Sequence, residues 1–220
     1  MYPVSMSHRI RPLLPSRYAC LWIRARCALL IFLLLSALLP VSASAEEAAE
    51  PKQGMLLVAD RKLQDPRFQE SVVLILQAGP GGAGGIIINM PTSKKVSSIF
   101  EVATGIGYGN DPLYYGGPVS GHELLMLRRA DQPPVGWAPV VKNVFITNNH
   151  IAMLETLMSS EKGEEVRLFA GYAGWARGQL EHEIRRGDWH LLPADAGRIF
   201  RSDTKKLWIE LFRKSREIML

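Results

Sequence analysis

The residue types able to do chemistry are sparse along this chain and poorly grouped. Ser71 and Ser120 are the serines most easily imagined as nucleophiles, yet neither lies in G-x-S-x-G and no base stands near either in sequence. Ser71 opens an apolar run, a position where a hydroxyl commonly bonds nearby backbone. The histidines are His8, His122, His150, His182 and His190. His182-Glu183 does not continue to a second histidine one turn on, so the zinc-protease helix pattern is absent, and no histidine pair has ligand spacing on one helix face. Glu181 and Glu183 are two positions apart and diverge by roughly 200° on a helix, a poor acid/base pair. Cys20 and Cys27 both precede Ala45. After Ala45 there is no material for a disulfide, a thiolate metal site or a cysteine nucleophile. Gly79-Pro80-Gly81-Gly82-Ala83-Gly84 spells G-x-G-x-x-G, but a dinucleotide fingerprint must open a helix. Ile86-Ile87-Ile88 follows instead, so the glycines read as a hairpin turn. No G-K-[ST] is present. The expectation is no catalytic residue, no metal ligand set and no cofactor.

The least ordinary stretch is Gly171-Tyr172-Ala173-Gly174-Trp175-Ala176-Arg177-Gly178-Gln179-Leu180-Glu181. Its glycines allow close approach of backbone, and Tyr and Trp offer large faces with polar handles. Together with Gly116-Gly117-Pro118-Val119 it suggests a groove. Gly117, Pro118, Tyr172, Trp175 and Gln179 are its candidate residues, holding a peptide or small ligand by backbone contacts and aromatic faces. The competing reading is a glycine-permitted crossover whose aromatics fill the core.

The elements that must position these residues are legible from pattern. Met55–Ala59, Ser71–Leu76 and Gly84–Asn89 read as strands, the last two forming a hairpin that Pro91 ends. Val96–Val102 reads as a short helix and Gly105–Asp111 as a loop. Leu113–Val119, Glu123–Leu127, Val144–Thr147, Val166–Ala170 and Trp189–Leu192 are strand-like, and Asp131–Pro139 is a loop. Ile151, Leu154 and Met158 recur at helical spacing behind a cap at Asn148 or Asn149. Gly178–Arg186 reads as a helix ended by Gly187. Asp203 caps a final helix on which Leu207/Leu211 and Trp208/Phe212 are adjacent pairs. Early hairpin strands and later alternation predict one α+β domain, a mixed sheet flanked by helices.

The N-terminal segment is of another character. It holds Arg9, Arg11, Arg17, Arg24 and Arg26, an apolar run from Ala28 to Leu39, then Pro40 and Ala43-Ser44-Ala45. A basic start, a short apolar core and an Ala-x-Ala site are the parts of a secretory signal. The run is short of the roughly 17 residues a membrane span needs. Residues 1–45 are therefore expected to be a signal peptide, 46–53 a flexible leader and 54–220 the domain. An uncleaved anchor is the other reading, and it would be the chain's one membrane contact. The chain has 26 Lys+Arg and 21 Asp+Glu; five of the basic residues and none of the acidic ones precede Glu46, leaving 21 of each. With no basic excess in the domain, nucleic acid is not an expected partner.

Several ordered blocks resemble the YqgE/AlgH family. They are Leu57-Val58-Ala59 with Leu63, Asp65-Pro66, Phe68 and Ser71-Val72-Val73; Gly82-Ala83-Gly84-Gly85 leading to Asn89 and Pro91; Gly116-Gly117-Pro118-Val119; and Gly171-Tyr172-Ala173-Gly174-Trp175 with Gly178-Gln179-Leu180-Glu181 and Trp189. Pro193-Ala194-Asp195, Phe200 and Leu207-Trp208 follow, so the resemblance spans about residues 54–213. It implies an α+β fold with a mixed sheet. It also implies a usually cytosolic protein of unassigned biochemistry, some members of which are described as transcriptional regulators. Asp60 departs from the proline usual after the first block, and the signal-like segment is atypical. A non-enzymatic binding or interaction domain in the periplasm is the function expected. An intracellular regulator with an N-terminal extension and an unrecognised hydrolase are the alternatives.

Overall fold

The computed structural model describes residues 50–105, 107–159 and 165–218. The signal-like segment and the start of the leader lie outside the described residues. Among them the chain forms ten strands in one sheet. The strands are β1 Met55–Ala59, β2 Val72–Gly79, β3 Gly82–Ile87, β4 Pro91–Lys95, β5 Pro112–Tyr115, β6 Val119–Arg129, β7 Ala138–Val141, β8 Val144–Thr147, β9 Val166–Trp175 and β10 Trp189–Pro193. The helices are α1 His150–Ser159, α2 Gln179–Arg185, α3 Ala196–Ile199 and α4 Thr204–Ile218.

The main path runs β10-β1-β2-β3-β9-β6-β8-β7, with β4 paired to β5 and β5 to β9. Every described pairing is antiparallel except β5 with β9, which is parallel. The α+β class holds, but helical flanking is modest and the sheet buries much of itself by curling. The segment leading into β1 meets β7 at the far end of the path: Gln53 Nε2 donates to the Pro139 carbonyl at 2.6 Å. A Cβ at Gly54 would stand 2.7 Å from Val141 Cγ1.

Cross-strand registers explain the continuous apolar runs. Leu57 pairs with Val73 and Leu191, and Ala59 with Trp189, so these side chains share one face. Leu56, Val58, Val72, Leu74, His190 and Leu192 share the other. Both faces are covered. Phe212 of α4 meets His190 with ring centroids 5.6 Å apart, and Trp208 Nε1 donates to the Ala59 carbonyl at 2.8 Å. Leu56, Leu57, Val58, Val72, Val73 and Leu74 are accordingly fully buried.

Some local readings are corrected. β3 ends at Ile87, short of Pro91, and Pro91 itself begins β4; Val96–Val102 is not one short helix but spans two 3-10 helices, Val96–Ser98 and Glu101–Gly105. The expected loop Asp131–Pro139 gives way to β7 at Ala138, whose outer carbonyl at Pro139 is taken by Gln53. Asn149 does cap α1, accepting from Ile151 N at 2.9 Å and Ala152 N at 3.3 Å.

Candidate binding groove

A groove of about 720 Å³ opens on the face that carries Trp189. Three walls build it. The segment between β1 and β2 brings Lys62, Asp65, Arg67 and Phe68; the entry to β6 brings Pro118 and Val119; the end of β9 with α2 brings Gly174, Trp175, Gln179 and Glu183. Pairing of Ala83 with Trp175 across β3 and β9 sets the Trp175 side chain on the same face as Trp189.

Phe68, Trp175 and Trp189 pack as a mutual trio. Trp189 meets Phe68 edge-on at 5.7 Å and Trp175 edge-on at 5.9 Å, and Phe68 lies tilted against Trp175 at 6.0 Å. Such contacts are worth about 0.5–1.5 kcal/mol each beyond area burial. Both indole N–H groups converge on one carboxylate oxygen: Trp175 Nε1 donates to Glu183 Oε2 at 2.9 Å and Trp189 Nε1 donates to the same atom at 2.8 Å. Gln179 Nε2 donates to Glu183 Oε1 at 3.0 Å, while Gln179 Oε1 accepts from Ala176 N at 3.0 Å. Glu183 is thus a hub that fixes the aromatic floor to α2.

The rim is ionic and internally balanced. Arg67 Nη2 pairs with Asp65 Oδ2 at 2.6 Å, and acceptance of the Arg67 side-chain bonds holds the Asp65 carboxyl below its ordinary range. Arg186 Nε donates to Asp188 Oδ2 at 2.7 Å, a bond that raises the Arg186 guanidinium. Lys62 Nζ donates to the Arg186 carbonyl at 2.7 Å.

Of the five expected groove residues, Pro118, Trp175 and Gln179 line it, and Gly117 and Tyr172 do not. Trp175 is only 7% exposed, so it serves as floor rather than as an open platform. Gly117 is a packing glycine: at φ +151°, an added Cβ would stand 2.3 Å from the Tyr172 carbonyl carbon and oxygen. Gly116 is as tight, with 2.1 Å to the Gly171 carbonyl oxygen. These two glycine segments meet backbone to backbone next to Pro118. Tyr172 pairs with Val119 and lies on the opposite side of β9 from Trp175. Phe68, Glu183 and Trp189 are the groove residues that the sequence reading missed. Glu183 is detectable in hindsight as the acid one turn after Gln179.

Other candidates do not come together. Ser71 is fully buried and its hydroxyl has no hydrogen-bond partner among the described residues, contrary to the expected backbone bond. His190 Nε2 stands 2.8 Å from Asp60 Oδ2 on the α4 side of the sheet, away from the groove. Among the described residues no three of His, Cys, Asp and Glu converge as a metal-ligand group.

The match to known proteins is broad. The DUF179 AlgH-like family model matches residues 56–218. A UPF0301 protein of Streptomyces avermitilis is 33% identical over 169 residues, covering 74% of this chain and 86% of the relative. A UPF0301 protein of Chlorobaculum tepidum is 33% identical over 159 residues, covering 71% and 83%. Two solved structures share the fold: a crystal structure from Corynebacterium diphtheriae at TM-score 0.64 and 24% identity, covering 76% of this chain and 88% of that one, and the solution structure of AlgH from Pseudomonas aeruginosa at TM-score 0.62 and 20% identity, covering 78% and 92%. With its sequence blocks, its matched length and its fold in agreement, the chain belongs to the YqgE/AlgH family.

Proposed function

We propose that this family member is a non-enzymatic binding domain, exported to the periplasm, that holds a peptide or small ligand in the groove over Phe68, Trp175 and Trp189. The observation that carries the reading is the Glu183 hub. One carboxylate holds both indoles and Gln179 in place beneath a cleft of about 720 Å³, a volume within the usual range for small-ligand sites. A floor already fixed loses little freedom when a ligand arrives. The groove lining carries Lys62, Arg67 and Arg186 against Asp65, Glu183 and Asp188, so it suits a ligand of mixed polarity better than a polyanion.

Native mass spectrometry of the protein taken from its own cells tests both parts. The expected species starts at Glu46, sits in the periplasmic fraction and carries a small adduct that is lost when Glu183 is replaced by Ala. Recovery of the intact chain from the cytosol would instead support the intracellular regulator.

A further inference from the structure

A second cavity, of about 200 Å³, shares no lining residue with the groove. Two opposite charges set its chemistry. Arg167 of β9 lines it and is only 9% exposed; Asp111, in the exposed stretch just before β5, lines it as well. The guanidinium is fixed in place. Its Nη1 donates to the Ile199 carbonyl at 2.8 Å and the Ile88 carbonyl at 3.4 Å, and its Nη2 donates to the Arg201 carbonyl. The Tyr114 ring lies 4.8 Å and the Phe200 ring 5.9 Å from the guanidinium carbon.

These bonds use three of the five guanidinium N–H donors, and carbonyls and rings leave its charge uncancelled. A buried charge is ordinarily paired, yet among the described residues Arg167 makes no ion pair, and neither does the exposed Asp111. Burial draws the Arg167 guanidinium below its ordinary value, partly offset by Tyr114, Glu165 and Asp111 in that order, and pushes the Asp111 carboxyl up, partly offset by Arg167. The two therefore face one space without touching. The rest of the wall is largely apolar, with Val96, Met126, Leu157 and Leu168. At about 30 Å³ per water, the space equals about six or seven waters.

The geometry points to a binding site for a free α-amino acid with an aliphatic side chain: its carboxylate on Arg167, its ammonium on Asp111, and its side chain against Met126, Leu157 and Leu168. A zwitterion carries both charges at one end and an apolar tail at the other, which is the pattern of this wall. A plain carboxylate would meet the Asp111 charge, and a plain amine would meet Arg167.

The test is a nitrogen–proton NMR titration of the purified full chain with L-leucine, N-acetyl-L-leucine and L-leucinamide. Leucine is expected to bind saturably with Kd below about 1 mM, shifting amides around Asp111 and Arg167. Each analogue, lacking one charge, is expected to bind at least about tenfold more weakly, as is leucine to the Asp111→Asn variant, whose exposed position spares the fold. The analogue series needs no variant, so it decides the matter even if D111N misfolds. N-acetyl-L-leucine binding as tightly as leucine overturns the site. So does the absence of saturation by leucine up to about 10 mM, or leucine shifts confined to the groove around Trp175.

Discussion

Glu183 ties the groove floor together by hydrogen bonds. Its two oxygens collect the Trp175 and Trp189 indoles and the Gln179 amide. Truncation removes the shared acceptor of two indole donors, and an unsatisfied buried donor costs about 1–3 kcal/mol. Glu183→Ala is therefore expected to lower stability by about 2–3 kcal/mol, read as a lower urea midpoint at unchanged slope together with a shifted tryptophan emission. An unchanged midpoint would mean that water replaces the carboxylate at no cost. Gly117 makes the complementary point. Its Cβ-less contact with the Tyr172 backbone leaves no room for a methyl, whereas nothing stands within 4 Å of a Cβ at Gly121. Overpacking against backbone, with φ at +151°, predicts that Gly117→Ala costs about 3 kcal/mol or more. Gly121→Ala should stay within about 0.5 kcal/mol. Equal effects in thermal melts of the two variants would contradict that assignment.

At the scale of elements, strands buried on both faces announce themselves as unbroken apolar runs, and β1, β2 and β3 were readable for that reason. β4 and β7 were not. Pro91-Thr92-Ser93-Lys94-Lys95 is polar and mostly exposed, and β7 is four residues long with Pro139 inside it, at the end of a proline-rich stretch. α1 illustrates a subtler failure. Ile151, Leu154 and Met158 gave the helical spacing, yet Ile151 is 67% and Met158 65% exposed, while Ala152, Met153, Thr156 and Leu157 are the buried set. That spacing marks the helix without marking its buried side, because which side packs inward is a tertiary fact. The groove was half legible for a similar reason. Glycines mark where backbones meet, but not whether they line a cavity or brace it. The edge strand β10 is tied to β1 by the buried pair His190–Asp60 at 2.8 Å. Burial pushes the Asp60 carboxyl up, but the Lys62 N–H, the His190 bond and the charges of His190 and Lys62 together bring it below its ordinary value. A carboxyl depressed in the folded state stabilises fully above its unfolded pKa of about 3.9 and ceases to do so as pH falls through the folded value. The stability gap between wild type and Asp60→Asn should therefore close as pH falls below about 4. Chemical denaturation as a function of pH checks it, and a gap that persists undiminished to the acid limit would contradict the assigned role.

Across the whole molecule, two hydrophobic clusters divide the buried residues. One gathers β1, β2, β3, β10 and α4; the other gathers Leu113, Met126, Phe145 and the buried side of α1. β9 belongs to both, since Phe169, Ala173 and Trp175 enter the first cluster and Leu168 the second. It is also the strand on which β3, β5 and β6 all pair. Neither cluster can lose β9 without exposing the other, so the two should unfold as one unit. Phe169 is fully buried against Tyr114 with ring centroids 5.4 Å apart. Phe169→Ala should cost about 3–5 kcal/mol while leaving the transition single. Fluorotryptophan labelling reads this directly, because Trp137 reports on the second cluster and Trp175, Trp189 and Trp208 on the first. All four resonances should vanish at one urea midpoint in the wild type and at one lower midpoint in the variant. If the Trp137 signal departs first in either protein, β9 does not couple the clusters, and the groove floor is then stable without the part of the sheet that holds Arg167.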